Sequence, residues 1–448
     1  MNRTWWCAHA WLPKGPADGV RISCGEDGRI TAIQIDTRPE PGDVQLALMV
    51  LPGFANTHSH AFHRALRGRT HTEGGTFWTW RDRMYALADR LTPDTYCELA
   101  TAVFSEMVLS GITCVGEFHY LHHGPGGARY GEPNAMGEAL REAASVAGLR
   151  MTLLDTCYLR GGIDIPLEGV QRRFDDGDAE SWAMRVSELA DDERFRVAAA
   201  VHSVRAVPVE ELSVIVEADV GEDGAPRPLH VHVSEQPAEN ASCVAAYGRT
   251  PTQLLADHGV LGSATTAVHA THLTPGDIRL LGESQTTACI CPSTEQDLAD
   301  GIGPARELAD AGAPIALGTD QHVMIDMIGE SRMLEMHERL ASGRRGRFSV
   351  EELITSLSAS GHAALGWPEA GRLEVGSLCD LVGVRLDSLR TAGAMPTQIP
   401  LVASASDVDT VVVGGRTVVE DGRHQPLRTA GGVPRALTRA IARAWGEA

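Results

Sequence analysis

Long uninterrupted runs of apolar residues are absent from this chain. No stretch approaches the ~18 such residues that a membrane-spanning helix needs, and the first residues lack the apolar core of a secretory signal peptide. The nine cysteines are scattered, with one close pair at Cys289 and Cys291, which is unlike a disulfide framework. These absences predict a cytoplasmic protein whose thiols are reduced, with no membrane association.

Positive charge and aromatic residues are also scarce. The chain has 39 Lys and Arg against 59 Asp and Glu, and its net charge of −20 argues against a nucleic-acid partner. Aromatic residues make up 5% of the chain, which leaves few flat surfaces for stacking a ring. A small anionic substrate remains compatible with this composition, provided that a local cationic pocket binds it.

Two histidines one residue apart mark the most informative stretch. A short apolar run in residues 51–60 ends at His58 and His60. Residues i and i+2 of a strand share a face, so both imidazoles can reach one metal ion. Taken alone, chance proximity among 18 histidines explains this pair equally well.

A repeating alternation of apolar runs and helix-like segments extends over residues 51–370. The predicted strands are 51–60, 112–118, 149–154, 196–202, 228–234, 265–269, 286–291 and 314–318. Eight right-handed βα units close into a TIM-like (β/α)₈ barrel of the α/β class, whose active site lies at the C-terminal ends of its strands.

Both ends of the chain have the pattern of β-structure. Hairpin turns at Glu26-Asp27-Gly28 and at Gly414-Gly415 each lie between two apolar, β-branched runs. We therefore predict a small β-sandwich domain built from residues 1–50 and 371–448, which flanks a catalytic barrel at residues 51–370.

Polar residues stand at the ends of the predicted strands, where a core position would be apolar. They are His58, His60, His202, His232, His269 and Asp320. Several buried polar groups at one rim need partners, and a divalent ion supplies them. Imidazoles together with a carboxylate suit Zn²⁺ or Fe²⁺, and the sequence does not choose between these ions.

This constellation resembles the amidohydrolase superfamily. The resemblance covers essentially the whole chain and includes the divided β-domain. The third strand ends without a lysine, a pattern similar to that of the mononuclear members, many of which deaminate C=N bonds. The resemblance implies one divalent metal ion, zinc first and iron(II) second, with ligands His58, His60, His232 and Asp320. His230 is interpreted as a structural histidine deeper in the barrel.

Three further segments resemble the formimidoylglutamate deiminases. They are His58-Ser-His-Ala-Phe-His-Arg-Ala65, Glu117-Phe-His-Tyr-Leu-His-His123 and Cys291-Pro-Ser-Thr-Glu-Gln-Asp-Leu-Ala-Asp-Gly301. This resemblance implies hydrolysis of N-formimidoyl-L-glutamate to N-formyl-L-glutamate and ammonia, in histidine degradation. One residue departs from the pattern: His63 stands where these enzymes tend to carry glutamine, at a position that would bind the glutamate part of the substrate.

The resemblance also implies roles for the remaining residues. Asp320 would accept a proton from the attacking water, Glu235 would protonate the departing nitrogen, and His269 would polarise the attacked centre. The implied substrate-binding residues are His63, Tyr120, His202 and Arg205. The fork of Arg205 suits a carboxylate.

Structural interpretations stay open for several residues. Arg205 could pair with a surface acid, and Tyr120 could belong to the core. Glu117 could orient a ligand histidine or form a core salt bridge. Glu295 and Asp297 could contact the substrate or line a loop.

Two rival functions remain. A deaminase of a heterocycle of the guanine, adenosine or triazine type would share the metal site but would need stacking residues. A non-catalytic barrel that binds a partner could lose its ligands, whereas all four are present. By analogy with similar barrels, we expect a homodimer.

Overall fold

Two β-sheets organise the molecule: an eight-stranded mixed sheet and an eight-stranded parallel barrel. The computed structural model describes residues 3–71, 77–221, 224–428 and 431–447, apart from the side chains of residues 77 and 78. Within these ranges, no helix combines the length and the apolar character that crossing a membrane requires.

In chain order, the strands are β1 (Arg3–Leu12), β2 (Gly15–Cys24), β3 (Ile30–Gln34), β4 (Val44–Pro52), β5 (Phe54–Ser59), β6 (Ile112–His119), β7 (Arg150–Cys157), β8 (Phe195–Val201), β9 (Leu229–Val233), β10 (Thr265–His269), β11 (Thr287–Ile290), β12 (Ile315–Leu317), β13 (Leu381–Val384), β14 (Val408–Val413), β15 (Arg416–Glu420) and β16 (Arg423–His424).

The helices are α1 (Phe77–Ala88), α2 (Pro93–Leu109), α3 (Ala135–Ala147), α4 (Ala179–Val186), α5 (Leu212–Ala218), α6 (Pro237–Tyr247), α7 (Pro251–Asp257), α8 (Pro275–Glu283), α9 (Pro292–Asp297), α10 (Ala305–Ala311), α11 (Met327–Ser342), α12 (Val350–Leu357), α13 (Ala359–Ala364) and α14 (Gly432–Trp445).

The mixed sheet joins the two ends of the chain. Its strand order is β16-β15-β14-β13-β4-β1-β2-β3, and the antiparallel pair β4–β13 unites the N-terminal and C-terminal parts. A bridge between Arg29 and Leu378 brings the β3 side back towards β13, so the sheet encloses its own core around Trp5 and Ile22. The predicted small β-domain from both termini is thus confirmed, and so are both hairpins. Its boundaries at residues 50 and 371 stay a prediction.

The barrel contains all eight predicted strands, in the order β5 to β12. These strands are almost entirely buried, as expected for parallel strands that are covered by helices. The barrel closes where β5 meets the residues that follow β12. There Thr319 N and Asp320 N donate to His58 O at 3.2 and 3.0 Å, and His60 N donates to Asp320 O at 3.2 Å. We call this junction the barrel seam.

Capping residues in the sequence fix the start of several helices behind the barrel. The Thr92 side chain accepts a hydrogen bond from Thr95 N, and Pro93 occupies the first turn of α2. Thr274 caps α8 and Ser349 caps α12 in the same way. Each cap satisfies an amide that would otherwise lack a partner, so these residues define where each helix begins.

A buried ion pair connects the barrel to the mixed sheet. Arg150 on β7 donates to the carboxylate of Asp380, which precedes β13. Their side chains are 4% and 1% exposed, so water cannot solvate either charge if its partner is lost. Asp380 also accepts a hydrogen bond from Gly414 N at 2.8 Å.

We expect Asp380→Asn to lower the free energy of unfolding by about 3 kcal/mol, because it leaves the Arg150 charge buried and unpaired. Adding Arg150→Met should recover most of this loss. Denaturant unfolding followed by circular dichroism measures both effects. Arg439→Gln, which breaks an exposed pair with Glu98, serves as the control and should cost less than about 1 kcal/mol. An equal loss in Asp380→Asn and in the control would contradict the prediction.

Candidate active site

Four side chains converge at the C-terminal end of the barrel. His58 Nε2 lies 3.2 Å from His232 Nε2, and Asp320 Oδ1 lies 3.4 Å from the Nε2 atoms of both His58 and His60. A tetrahedral site with bonds of about 2.0–2.1 Å has ligand-to-ligand edges of roughly 3.3–3.4 Å. The observed spacing therefore fits one ion with three imidazole nitrogens and one carboxylate oxygen.

Hydrogen bonds from the far side of two rings fix the direction of their Nε2 atoms. His60 Nδ1 donates to Phe118 O, and His232 Nδ1 donates to His202 O, both at 2.8 Å. Because a carbonyl can only accept, Nδ1 carries the proton in both rings and Nε2 is left free to coordinate. Burial lowers the pKa of His58 to about 3, so its ring is neutral as well.

The backbone is strained where these side chains leave the strands. Asp320, His269 and Ser234 have φ values of 40°, 69° and 52°, in the left-handed region that residues other than glycine rarely adopt. A Cβ at Gly318 would lie 2.8 Å from the Cβ of His58 and 2.9 Å from Cys291 Sγ. Glycine therefore allows the close approach of the residues after β12 to the ligand strand.

Carboxylates surround His269 at the edge of the cluster. Its Nε2 lies 3.9 Å from Glu235 Oε1 and 4.0 Å from Asp320 Oδ2, and its Nδ1 lies 3.5 Å from Glu295 Oε1. Burial alone would lower the pKa of His269, but these acids raise it to about 10. The ring can therefore donate a hydrogen bond to an oxygen atom placed between it and the ligand cluster. A divalent ion bound nearby would lower the pKa of His269, because it would repel the positive charge of the ring.

A cavity of about 350 Å³ opens onto the cluster. Its walls include His60, His63, Tyr120, His202, Arg205, His232, Glu235, His269 and Asp320. His58 is fully buried behind this surface. The structure thus brings together every residue to which the sequence analysis gave a metal-binding, catalytic or substrate-binding role, around a space of the size that small-molecule sites have.

The predicted substrate-binding residues have defined neighbours. His63 Nε2 lies 3.0 Å from the Tyr120 hydroxyl. Arg205 lies 3.6 Å from Glu235 and 3.6 Å from Glu239, so the acids beside it are buried pocket residues rather than surface acids. Its Nε atom has no hydrogen-bond partner among the residues that the structure describes. Tyr120 is 4% exposed and lines the cavity while it packs in the core.

Several wall residues were missed by the sequence analysis. They are Trp80, Tyr85, Tyr158, Phe174 and Glu239. Trp80 and Tyr85 lie on helix α1, and a search for polar residues at the ends of strands does not include a helix. Tyr158 directly follows β7, so the strand-end rule could have found it. Glu239 lies one helical turn after Glu235, and no pattern in the sequence distinguishes it.

Other polar residues near the rim are structural. Glu295 accepts a hydrogen bond from Cys291 N at 2.8 Å while it faces His269, and it does not line the cavity. Asp297 accepts from Gln321 Nε2 at 3.0 Å and holds a loop. A second cluster, His119, His122 and Asp155, fits no metal because Asp155 already accepts hydrogen bonds from Arg185 and Trp182.

The chain was compared with models of known protein families. The model described as "Amidohydrolase family" matches residues 49–418. The chain belongs to the amidohydrolase family. The resemblance seen in the sequence is thereby confirmed at the level of the family.

This amidohydrolase is similar to curated enzymes over nearly its full length. It is 34% identical to formimidoylglutamate deiminase of Pseudomonas aeruginosa over 433 residues, which cover 93% of this chain and 94% of that protein. It is 32% identical to 8-oxoguanine deaminase of the same organism, over 99% of both chains.

Solved structures support the same fold. An amidohydrolase from Brucella melitensis superposes with a TM-score of 0.90 and 31% identity over 99% of both chains. A mutant atrazine chlorohydrolase from Arthrobacter aurescens, complexed with zinc and atraton, gives a TM-score of 0.85 at 21% identity and covers 98% of this chain and 99% of that one. At that identity, the second likeness shows the fold alone.

We expect Asp320→Asn to lose its metal ion, because an amide oxygen replaces the anionic ligand. The fall in affinity should exceed the roughly 10–100-fold that outer partners of a metal site contribute. Metal analysis after dialysis tests this, with circular dichroism to show that the fold persists. Asp297→Asn, at a loop acid of the same rim, is the control and should keep its metal. Equal metal content in the two variants would argue against Asp320 as a ligand.

Proposed function

We propose that this amidohydrolase hydrolyses the C=N bond of N-formimidoyl-L-glutamate and releases ammonia and N-formyl-L-glutamate, a step in histidine degradation. The observation that carries the proposal is one cavity in which the cation Arg205 lies beside Glu235, within reach of the ligand cluster. The 34% identity to a formimidoylglutamate deiminase supports it.

The proposed cofactor is one Zn²⁺ ion, with Fe²⁺ as the second choice. His58, His60, His232 and Asp320 would hold it, since three of the distances between their donor atoms match the edges of a tetrahedral site. When bound, a divalent ion lowers the pKa of water and supplies hydroxide at neutral pH.

Three side chains would manage the protons of the reaction. Burial alone would raise the pKa of Asp320, but contacts with His58, His60 and His269 hold this pKa well below its usual range. Its carboxylate is therefore ionised and available as a base for the attacking water. The oxygen of that water forms a bond to the formimino carbon. Glu235 would carry both protons of the water to the nitrogen in turn, one as the oxygen adds to the carbon and one as the carbon–nitrogen bond breaks, so that ammonia leaves and the formyl carbonyl remains. His269 would donate a hydrogen bond to the new oxygen.

The charges of the cavity suit a dianion. Three arginines in its walls, Arg81, Arg160 and Arg205, match three acids, Glu235, Glu239 and Asp320. The protonated His269 adds a fourth positive charge to these walls. A bound divalent ion would increase this excess of positive charge, which favours a substrate with two carboxylates. Arg205 would bind one carboxylate in competition with Glu239, and His202 with the His63–Tyr120 pair would offer further donors.

One observation favours a second candidate, the deamination of a heterocyclic ring. Although aromatic residues are few in the chain, the cavity walls gather five of them: Trp80, Tyr85, Tyr120, Tyr158 and Phe174. Such faces can stack on a flat ring. The 32% identity to 8-oxoguanine deaminase points the same way.

Ammonia release from several substrates assayed side by side tests the proposal. The zinc-loaded protein would be given N-formimidoyl-L-glutamate, N-formimidoyl-L-aspartate, guanine and 8-oxoguanine. We expect the highest kcat/KM with the glutamate derivative. Turnover of a purine with none of the formimino acids would replace the proposed function with the second candidate. Preference for the aspartate derivative would redefine the substrate and point to His63 as the cause.

Arg205→Met separates the two candidates further. Loss of charged hydrogen bonds worth about 1.5–3 kcal/mol should raise KM for the dicarboxylate roughly 10–150-fold, with a smaller change in kcat. A neutral ring should lose much less. Arg249→Met, which removes an exposed arginine paired with Asp257, is the control and should leave KM unchanged. If the KM for the dicarboxylate is unchanged in Arg205→Met, Arg205 does not bind the substrate.

Glu235→Gln isolates the proton transfer to nitrogen. We expect kcat to fall by about 10²–10⁴-fold, the usual contribution of a general acid or base, while the metal content stays that of the unaltered protein. Steady-state kinetics and metal analysis on the same preparation measure both. A variant that keeps its turnover rate would show that another group protonates the departing nitrogen.

The proposal has two further parts: a homodimer, which rests on analogy with similar barrels, and a location in the cytoplasm, which rests on the scattered cysteines. Light scattering of the purified protein tests the first of these.

A further inference from the structure

The barrel seam carries three of the four proposed ligands. His58 and His60 lie on its β5 side, and Asp320 lies on the side that follows β12. Three backbone hydrogen bonds join the two sides. A small shift across this seam would therefore move two imidazoles relative to the carboxylate and would change the spacing of the donor atoms.

Ser59 lies between the two ligand histidines, so its side chain points to the opposite face of β5, away from the barrel axis. It is fully buried, and its hydroxyl donates to Glu117 Oε2 at 2.6 Å. The other carboxylate oxygen, Glu117 Oε1, accepts from Ala61 N at 2.6 Å. Glu117 on β6 thus holds both residues that flank His60.

His322 continues this contact across the seam. Its Nε2 lies 3.2 Å from Ser59 Oγ, and its Nδ1 lies 2.9 Å from Thr319 Oγ1. Since the hydroxyl proton of Ser59 goes to Glu117, His322 Nε2 donates to Ser59, and Nδ1 accepts from Thr319. Asn56 Nδ2 donates in turn to Thr319 Oγ1 at 2.8 Å.

The five residues form one chain of hydrogen bonds in which each donor has an acceptor. It runs from Asn56 through Thr319, His322 and Ser59 to Glu117. It thus begins on β5, passes to the residues after β12, returns to β5 and ends on β6. We call it the seam network. All five side chains are fully buried, so water does not replace a lost contact and the geometry of each link is retained.

We infer that the seam network positions the metal ligands: by fixing β5 against the residues after β12, it sets the distance from His58 and His60 to Asp320 and so the affinity for the metal ion. The inference rests on the proposed metal site. Among the residues that the structure describes, the Glu117 carboxylate accepts hydrogen bonds from Ser59 and Ala61 N, and no ion pair or contact with a ligand ring is found. Ser59, Glu117 and His322 are positioning residues.

Ser59→Ala and Glu117→Gln test the inference, and Thr57→Val is a matched control. Thr57 lies on the same strand, two residues before Ser59, is fully buried, and has a hydroxyl without a hydrogen-bond partner in the described part of the chain. The affinity of each metal-free protein for Zn²⁺ is measured by competition with a chromogenic chelator. The thermal midpoint of each metal-free protein is measured in parallel.

We expect Ser59→Ala to bind Zn²⁺ about 10–100-fold more weakly than Thr57→Val, the range observed for outer partners of metal sites. Glu117→Gln keeps one acceptor oxygen and should lose less. The metal-free midpoint of Ser59→Ala should lie below that of Thr57→Val, because Glu117 and His322 lose a buried partner. The variant should still be folded at the temperature of the Zn²⁺ titration, which separates positioning from loss of the fold.

Two results would overturn the inference. The first is that the unaltered protein binds Zn²⁺ and that Ser59→Ala binds it within twofold of the Thr57→Val control. The metal site would then exist, but the network would not determine the positions of its ligands. Failure of the unaltered protein to bind Zn²⁺ or Fe²⁺ would remove the proposed site itself and the inference with it.

Discussion

The close approach of His58, His60, His232 and Asp320 in a nearly dry barrel mouth is the constraint on which the rest of the structure depends. Polar groups that are taken out of water must find partners. His58 lies 3.2 Å from His232, and Asp320 lies 3.4 Å from both His58 and His60, so a single ion between them can satisfy their donor atoms. Three features maintain this arrangement: the rings of these histidines are neutral, the backbone after the strands has strained φ values, and Gly318 after β12 allows close approach to His58. The cost in backbone strain is of order 1–3 kcal/mol per residue, and the helices packed around the barrel supply the stability that offsets it.

The cavity combines two kinds of recognition that are usually found apart. Arginines and histidines can bind carboxylates, whereas the aromatic side chains from α1, β7 and the 3-10 helix at Gly169–Arg173 give flat apolar walls. Membership of the amidohydrolase family does not choose between them, because similar enzymes that deaminate a linear amidine and a purine are almost equally identical to this chain. The choice lies in a few wall residues. We propose that His63 is the clearest of these, since its ring contacts the Tyr120 hydroxyl and would change which donors a substrate meets.

The strands and the ligand cluster could be predicted from the sequence, while the walls could not. Alternating apolar runs located all eight barrel strands, and polar residues at their ends identified six rim residues, because strand ends meet at one rim in this fold. The family resemblance selected four of these six as candidate ligands. Trp80 and Tyr85 escaped this rule since α1 lies outside the strand pattern. Ser59 and His322 escaped it for another reason: they face away from the rim, and their contact joins residues 263 positions apart. Local patterns carry no information on such pairs.

The pairing of β4 with β13 has a consequence for synthesis of the chain. The ribosome completes β1 to β4 about three hundred residues before β13 emerges, so the inner edge of β4 stays unpaired while the whole barrel is made. An unpaired apolar strand edge is a template for pairing with other chains. The growing polypeptide must therefore shield this edge until its own distant partner arrives, and vectorial folding from the N-terminus cannot finish the first domain that it begins.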